Sequence, residues 1–114
     1  MLRKIFLITA VLWQFLFLNI YSQEKKTFYF ENISIPDGLS NAQVWDIVQD
    51  KYGFLWIGTQ DGLNRYDGYN IRIFKNDPEK INSLPNNTVQ GLCIDHEDDL
   101  LVGTNLGLSI YNND

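Results

Sequence analysis

Only one cysteine, Cys93, and one histidine, His96, occur in the 114 residues. A solitary cysteine cannot staple a domain internally, and neither a CxxC pair nor Cys/His spacing for zinc exists. Cys93 is expected to serve as a small buried apolar residue. Basic charge is also scarce: nine Lys and Arg stand against fourteen Asp and Glu, and two of the nine, Arg3 and Lys4, lie at the very start. From Gln23 onward seven basic residues face all fourteen acidic ones, a formal charge of −7, with no basic cluster beyond Lys25-Lys26. Phosphate backbones are held by clustered Lys and Arg, so this composition excludes nucleic acid as a ligand.

Catalytic patterns are missing as well. Asp46, Asp50 and Asp95 are too scattered to pair as acid and base, and there is no Ser/His/Asp set, kinase motif or Gly-rich phosphate loop. The run Asp95, His96, Glu97, Asp98, Asp99 lacks the glycine and spacing of an EF-hand. Like charges crowded together are least costly in a solvated hairpin turn, and that is the role expected of it. The segment is therefore expected to hold no metal, no cofactor and no catalytic residue.

One long apolar run is present. Ile5 to Ile20 carries no charge, follows Arg3 and Lys4, and exits into Tyr21-Ser22-Gln23-Glu24. It falls short of the roughly 20 apolar residues that cross a bilayer, whereas a basic start and a polar exit fit an export signal. Residues 1–22 are assigned to a signal peptide cleaved after Ser22, with an uncleaved anchor as the rival.

What the chain has in abundance is repetition. Leu39 to Tyr66 lies over Leu84 to Tyr111 without a gap, at a constant offset of 45 residues. Leu39, Asn41, Val44, Asp50, Leu55, Gly58, Thr59, Gly62, Leu63 and Tyr66 meet identical residues in that register. A period near 45 residues made of short apolar runs and Gly turns marks radial β-repeats, in which one unit is one blade.

The first unit alone is ambiguous, because Ser40 to Asp50 has a helix-like cap and spacing. Its counterpart places Pro85 and Gly91 in the same stretch, and a Gly inside a helix costs ~1 kcal/mol relative to Ala. Val44 to Gln49 and Val89 to Ile94 are therefore assigned as strands. Further strands are expected at Phe54 to Gly58, Leu63 to Tyr66 and Tyr69 to Phe74, then at Leu100 to Gly103 and Leu108 to Tyr111. Lys75 to Pro85 is a polar link. The predicted fold is all-β, with antiparallel propeller blades of four strands. Residues 39–83 form blade 1, and residues 84–114 form a truncated blade 2 that stops where an Asp-Gly turn and fourth strand would begin. Residues 23–38 precede them, with Thr27 to Ile35 expected as an outer strand donated to another blade of a closed ring.

With the strands placed, GLSNAQVWDIVQDKYGFLWIGTQDGLNRYDG resembles the repeat of the two-component regulator propellers. The second copy departs at Leu101, which replaces Trp56, and at Asp98-Asp99, which replace Gly53-Phe54. Together with the leader, the chain resembles the amino-terminal part of a hybrid two-component sensor histidine kinase of the Bacteroidetes kind. The resemblance implies an exported segment on the periplasmic side of the inner membrane, joined to remaining blades, downstream modules and a kinase absent from this chain. It also implies an oligosaccharide released from glycans as ligand, and a homodimeric receptor.

Trp56 lies in an apolar strand and is expected in the core. Trp45 aligns with Gln90 and Asp46 with Gly91, so these positions vary between units that otherwise agree, and Trp45 and Asp46 are the candidate ligand-binding residues. Two other classes of function fit the repeats: a fragment of a secreted propeller glycan hydrolase or lyase, and a non-enzymatic scaffold.

Overall fold

The structure, a computed structural model, describes residues 1–18 and 24–112; the expected cleavage after Ser22 and the last two residues lie outside the described residues. Two compact units are formed, Met1–Glu31 and Asn32–Asp114. In the first, Leu2–Leu18 is an α-helix, as a largely apolar stretch without Pro or Gly permits. Among the described residues no helix is long and apolar enough to cross a membrane. Thr27 to Ile35 is not a strand: Phe28, Tyr29 and Phe30 stand exposed, and Ile35–Asp37 is a single 3-10 turn. An isolated strand has no partner for its backbone groups, and the blade that would supply one is not among the described elements.

The second unit holds two antiparallel sheets. Blade 1 has the order β1-β2-β3-β4, made of Val44–Gln49, Leu55–Thr59, Gly62–Tyr66 and Ile71–Phe74. Blade 2 has β5-β6-β7, made of Val89–Ile94, Leu100–Thr104 and Gly107–Tyr111. The registers repeat: Val48 pairs with Trp56 as Cys93 pairs with Leu101, and a bulge falls at Val44/Asp46 as at Val89/Gly91.

The shared residues are those that shape turns. Asp50 Oδ1 accepts the Tyr52 and Phe54 N–H groups, and Asp95 Oδ1 accepts those of Glu97 and Asp99. Both aspartates thus close the β1–β2 type of hairpin through side-chain to backbone bonds. Thr59 Oγ1 donates to the Gly62 carbonyl and Thr104 Oγ1 to that of Gly107, closing the next hairpin. There Gly62 and Gly107 take φ of 128° and 119°, a region that side chains bearing a Cβ rarely enter. The acidic turn Asp95 to Asp99 is anchored to blade 1 by Lys51 Nζ, 3.2 Å from Asp98 Oδ2, as an exposed pair.

The turn into β4 is expected to respond to acid through Asp67. Backbone N–H groups of Asn70 and Tyr69 point at Asp67 Oδ1 and hold its carboxyl below the ordinary value of 3.8. A lowered carboxyl stabilises the fold fully above its ordinary value, and that contribution is lost as pH falls through the lowered one. Protection of the Tyr69 and Asn70 amides, taken against their intrinsic exchange rates, should fall below pH 3.8, and Asp67→Asn, which keeps an acceptor but does not titrate, should remove that response. An identical acid response in the variant would refute the assignment.

The core lies between the blades. Trp56, Leu63, Val89, Leu92, Leu100 and Val102 are buried together, with Val48, Phe74, Leu84, Ile94 and Tyr111 packed around them. Strand alternation explains the partition: one face of blade 1, carrying Val48, Trp56 and Leu63, meets the opposite kind of face of blade 2, carrying Val89, Leu92 and Val102. Gly58 is the point of closest approach, since a Cβ there would lie 2.8 Å from Val89 Cγ1 and 3.2 Å from the Val89 carbonyl oxygen. Cys93 is exposed, contrary to its expected burial. It occupies the place of Val48, but on the face of blade 2 against which no blade lies among the described residues.

Candidate functional site

Each inner strand begins in a polar hairpin rim. Asn41 Oδ1 accepts the Gln43 N–H and Asn86 Oδ1 that of Thr88, so the same side-chain turn leads into β1 and β5. The Gln60 N–H then bonds the Gln43 carbonyl, and the Asn105 N–H that of Thr88. Between the blades, the Gly62 N–H reaches the Asn87 carbonyl at 2.6 Å, and Thr88 Oγ1 donates to the Gln60 carbonyl at 3.3 Å. Gln43, Gln60, Thr88 and Asn105 therefore form one continuous edge spanning both blades.

Trp45 and Asp46 lie next to this edge, at the bulge that shifts the register of β1 against β2. The bulge leaves Trp45 half exposed, at 50%, rather than buried like Trp56 at 1%. Asp46 is already engaged: Oδ2 accepts the Leu92 N–H of blade 2 at 2.8 Å and Oδ1 accepts the Ile47 N–H at 2.9 Å. Its carboxylate bridges blades and fixes the bulged backbone that carries Trp45. Asp61, the other carboxylate near the rim, is paired with Lys75 at 2.8 Å. The half-exposed Trp45 indole thus follows directly in sequence on a rim of neutral amides and hydroxyls. The amide rim was hidden in the sequence; its signal was the paired variation of Gln43 with Thr88 and Gln60 with Asn105 beside the invariant Thr and Gly.

A cleft of about 870 Å³ lies elsewhere, between the Lys75 to Leu84 link and β7, lined in part by Phe74, Asn76, Ser83, Val102 and Tyr111. It borders the edge of β7 where a fourth strand of blade 2 would pair. Among the described residues no group of three or more His, Cys, Asp or Glu could hold a metal ion.

A four-stranded and a three-stranded antiparallel sheet, stacked face to face at a fixed repeat, define a segment of a β-propeller. Residues 38–61 and 83–106 match the two component regulator propeller, and through these two repeats the chain belongs to that family. Over 83 residues it is 41% identical to histidine kinase P4 of Formosa agariphila, a match that covers 73% of this chain and 6% of that protein. Two solved structures from B. thetaiotaomicron are also similar. The extracellular domain of a hybrid two component system aligns with a TM-score of 0.60 and 26% identity, over 74% of this chain and 13% of that one. The extracellular domain of a one component system aligns with 0.57 and 31%, over 61% and 10%. The chain thus spans a small part of each of these three proteins.

Proposed function

We propose that this chain is the amino-terminal sensory segment of a hybrid two-component receptor, exported by residues 1–22 to the periplasmic side of the inner membrane. The ligand is a glycan-derived oligosaccharide, and the signal passes through remaining blades and downstream modules to a kinase outside this chain, in a homodimeric receptor. The observation that supports this most is the agreement of both repeats with a family whose solved relatives are extracellular domains of signalling systems. Trp45 supplies a stacking face, Asp46 holds the strand that presents it, and the amide rim supplies donors and acceptors for hydroxyls. Thr27 to Ile35 serves as the outer strand of another blade once the ring is closed.

A ligand drives a receptor only by its differential affinity for two arrangements, so binding must change how the blades or following modules pack. Isothermal titration of the exported region with a panel of glycan oligosaccharides should find one that binds. Trp45→Ala should weaken that ligand by about 2 kcal/mol, roughly thirtyfold in Kd, if the indole is a binding anchor. No binding across the panel, or equal affinity in the variant, would overturn the reading or its site respectively.

A further inference from the structure

The most deeply buried polar side chains among the described residues lie directly behind the rim of blade 1. Asn64 and Thr59 are both 0% exposed. Asn64 Oδ1 accepts the Ser40 N–H at 2.9 Å, and its Nδ2 donates to Ser40 Oγ at 2.8 Å and to the Ile57 carbonyl at 3.2 Å. Thr59 Oγ1 accepts the Asp61 N–H at 3.1 Å, donates to the Gly62 carbonyl at 2.9 Å and lies 2.8 Å from Ser40 Oγ. A hydroxyl has one proton, and that of Thr59 goes to Gly62, so Ser40 is the donor between the two hydroxyls. Three side chains thereby tie the segment entering blade 1 to β2, to β3 and to the Gln60–Asp61 turn.

What the network grips is the rim. Ser40 immediately precedes Asn41, whose side chain sets the turn at Gln43, and the Gln43 carbonyl takes the Gln60 N–H. Val44, the residue before Trp45, is the ladder partner of Thr59. Blade 2 is built otherwise. Pro85 replaces Ser40 and has no N–H to give, Ser109 replaces Asn64, and Thr104 keeps only the turn bonds to the Gly107 carbonyl and from the Leu106 N–H. Yet both blades share the same register and the same bulge, so a blade forms without this network. Burying an amide and two hydroxyls costs desolvation that their mutual bonds merely offset; what they add is a single fixed geometry.

We propose that Ser40, Thr59 and Asn64 are positioning residues for the candidate ligand site, holding the Asn41 to Trp45 entry of blade 1 in one arrangement before any ligand arrives. Blade 1 then presents a rigid recognition edge and blade 2 an adjustable one. A rim that is already ordered pays little of the ordering cost of binding, and an indole carried on a fixed strand favours one orientation of the ring stacked on it. This inference rests on the reading of Trp45 as a ligand residue.

The test is made on the full chain without ligand, by residue-resolved hydrogen exchange and by nuclear relaxation of the Trp45 indole N–H. Because no ligand is present, failure of every oligosaccharide to bind leaves its outcome untouched. Asn64→Ser, which installs the side chain blade 2 carries at the equivalent place, should raise exchange of the Ser40, Gln43 and Gln60 amides about tenfold and loosen the Trp45 indole. The equivalent blade 2 amides, Thr88 and Asn105, should keep their rates, which a loss of overall stability would not spare. Ser40→Ala retains the backbone bond to Asn64 and should give a smaller rise at Gln43 and Gln60, a readout that holds even where Asn64→Ser does not fold. Ser40→Thr keeps the hydroxyl and should behave as the parent. Two results would each overturn the proposal: rim amides and a Trp45 indole indifferent to the substitutions, or a rise shared equally by Thr88 and Asn105.

Discussion

Replacing Trp56 by alanine is expected to cost about 3–5 kcal/mol, the range for removing a large aromatic side chain from a core. The indole is 1% exposed and lies between the blades, with ring centroids 5.7 Å from Phe74 of blade 1 and 5.0 Å from Tyr111 of blade 2. Its Nε1–H donates to Asp50 Oδ2 at 2.8 Å, the same aspartate that closes the β1–β2 turn through Oδ1. One substitution therefore opens a cavity between sheets and strips a partner from a buried carboxylate. Leu101 holds the equivalent place in blade 2 on an open face, so Leu101→Ala should cost less than about 1 kcal/mol. Urea unfolding followed by circular dichroism measures both; equal effects would mean that the two faces are equally covered, against the arrangement described.

A methyl group added at two equivalent glycines should have opposite consequences. Gly58→Ala places a Cβ within 2.8 Å of Val89 Cγ1 and 3.2 Å of a backbone carbonyl, and neither a β-branched side chain nor a paired strand yields easily. The expected loss is about 1–3 kcal/mol, typical of overpacking. Gly103→Ala meets only ordinary contacts in its own blade, and reduced freedom of the unfolded chain should leave stability unchanged or raise it by up to ~1 kcal/mol. The same unfolding experiment distinguishes them. Val89→Ala combined with Gly58→Ala should recover part of the loss, since the two changes act on one contact.

The strands were legible in the sequence because two copies could be read against each other. Ser40 to Asp50 alone suits a helix, and Pro85 with Gly91 at the equivalent positions removes that choice; β1 and β5 then fall on Val44–Gln49 and Val89–Ile94. Trp56 was legible as core because an apolar run must be covered on both faces. Cys93 was not, since alignment with Val48 shows which face a residue occupies but not whether another blade lies on it. Thr27 to Ile35 has alternation fit for a strand, yet a strand exists only with a partner. At the candidate site, variation at Trp45/Gln90 and Asp46/Gly91 singled out the stretch of β1 where the bulge falls. The bond from Leu92 N–H to Asp46 was hidden, because it depends on two blades coming within hydrogen-bond distance across 46 residues.

That bond gives the most direct test of the stacked-blade arrangement. Leu92 belongs to an inner strand that pairs with β6 on one side, and its N–H is satisfied by Asp46 of the other blade. Residue-resolved hydrogen exchange should find the Leu92 amide protected, with protection lost in Asp46→Ala while β6 amides keep theirs. Free exchange of Leu92 in the unaltered chain, or protection indifferent to Asp46, would show that the two repeats do not stack as neighbouring blades.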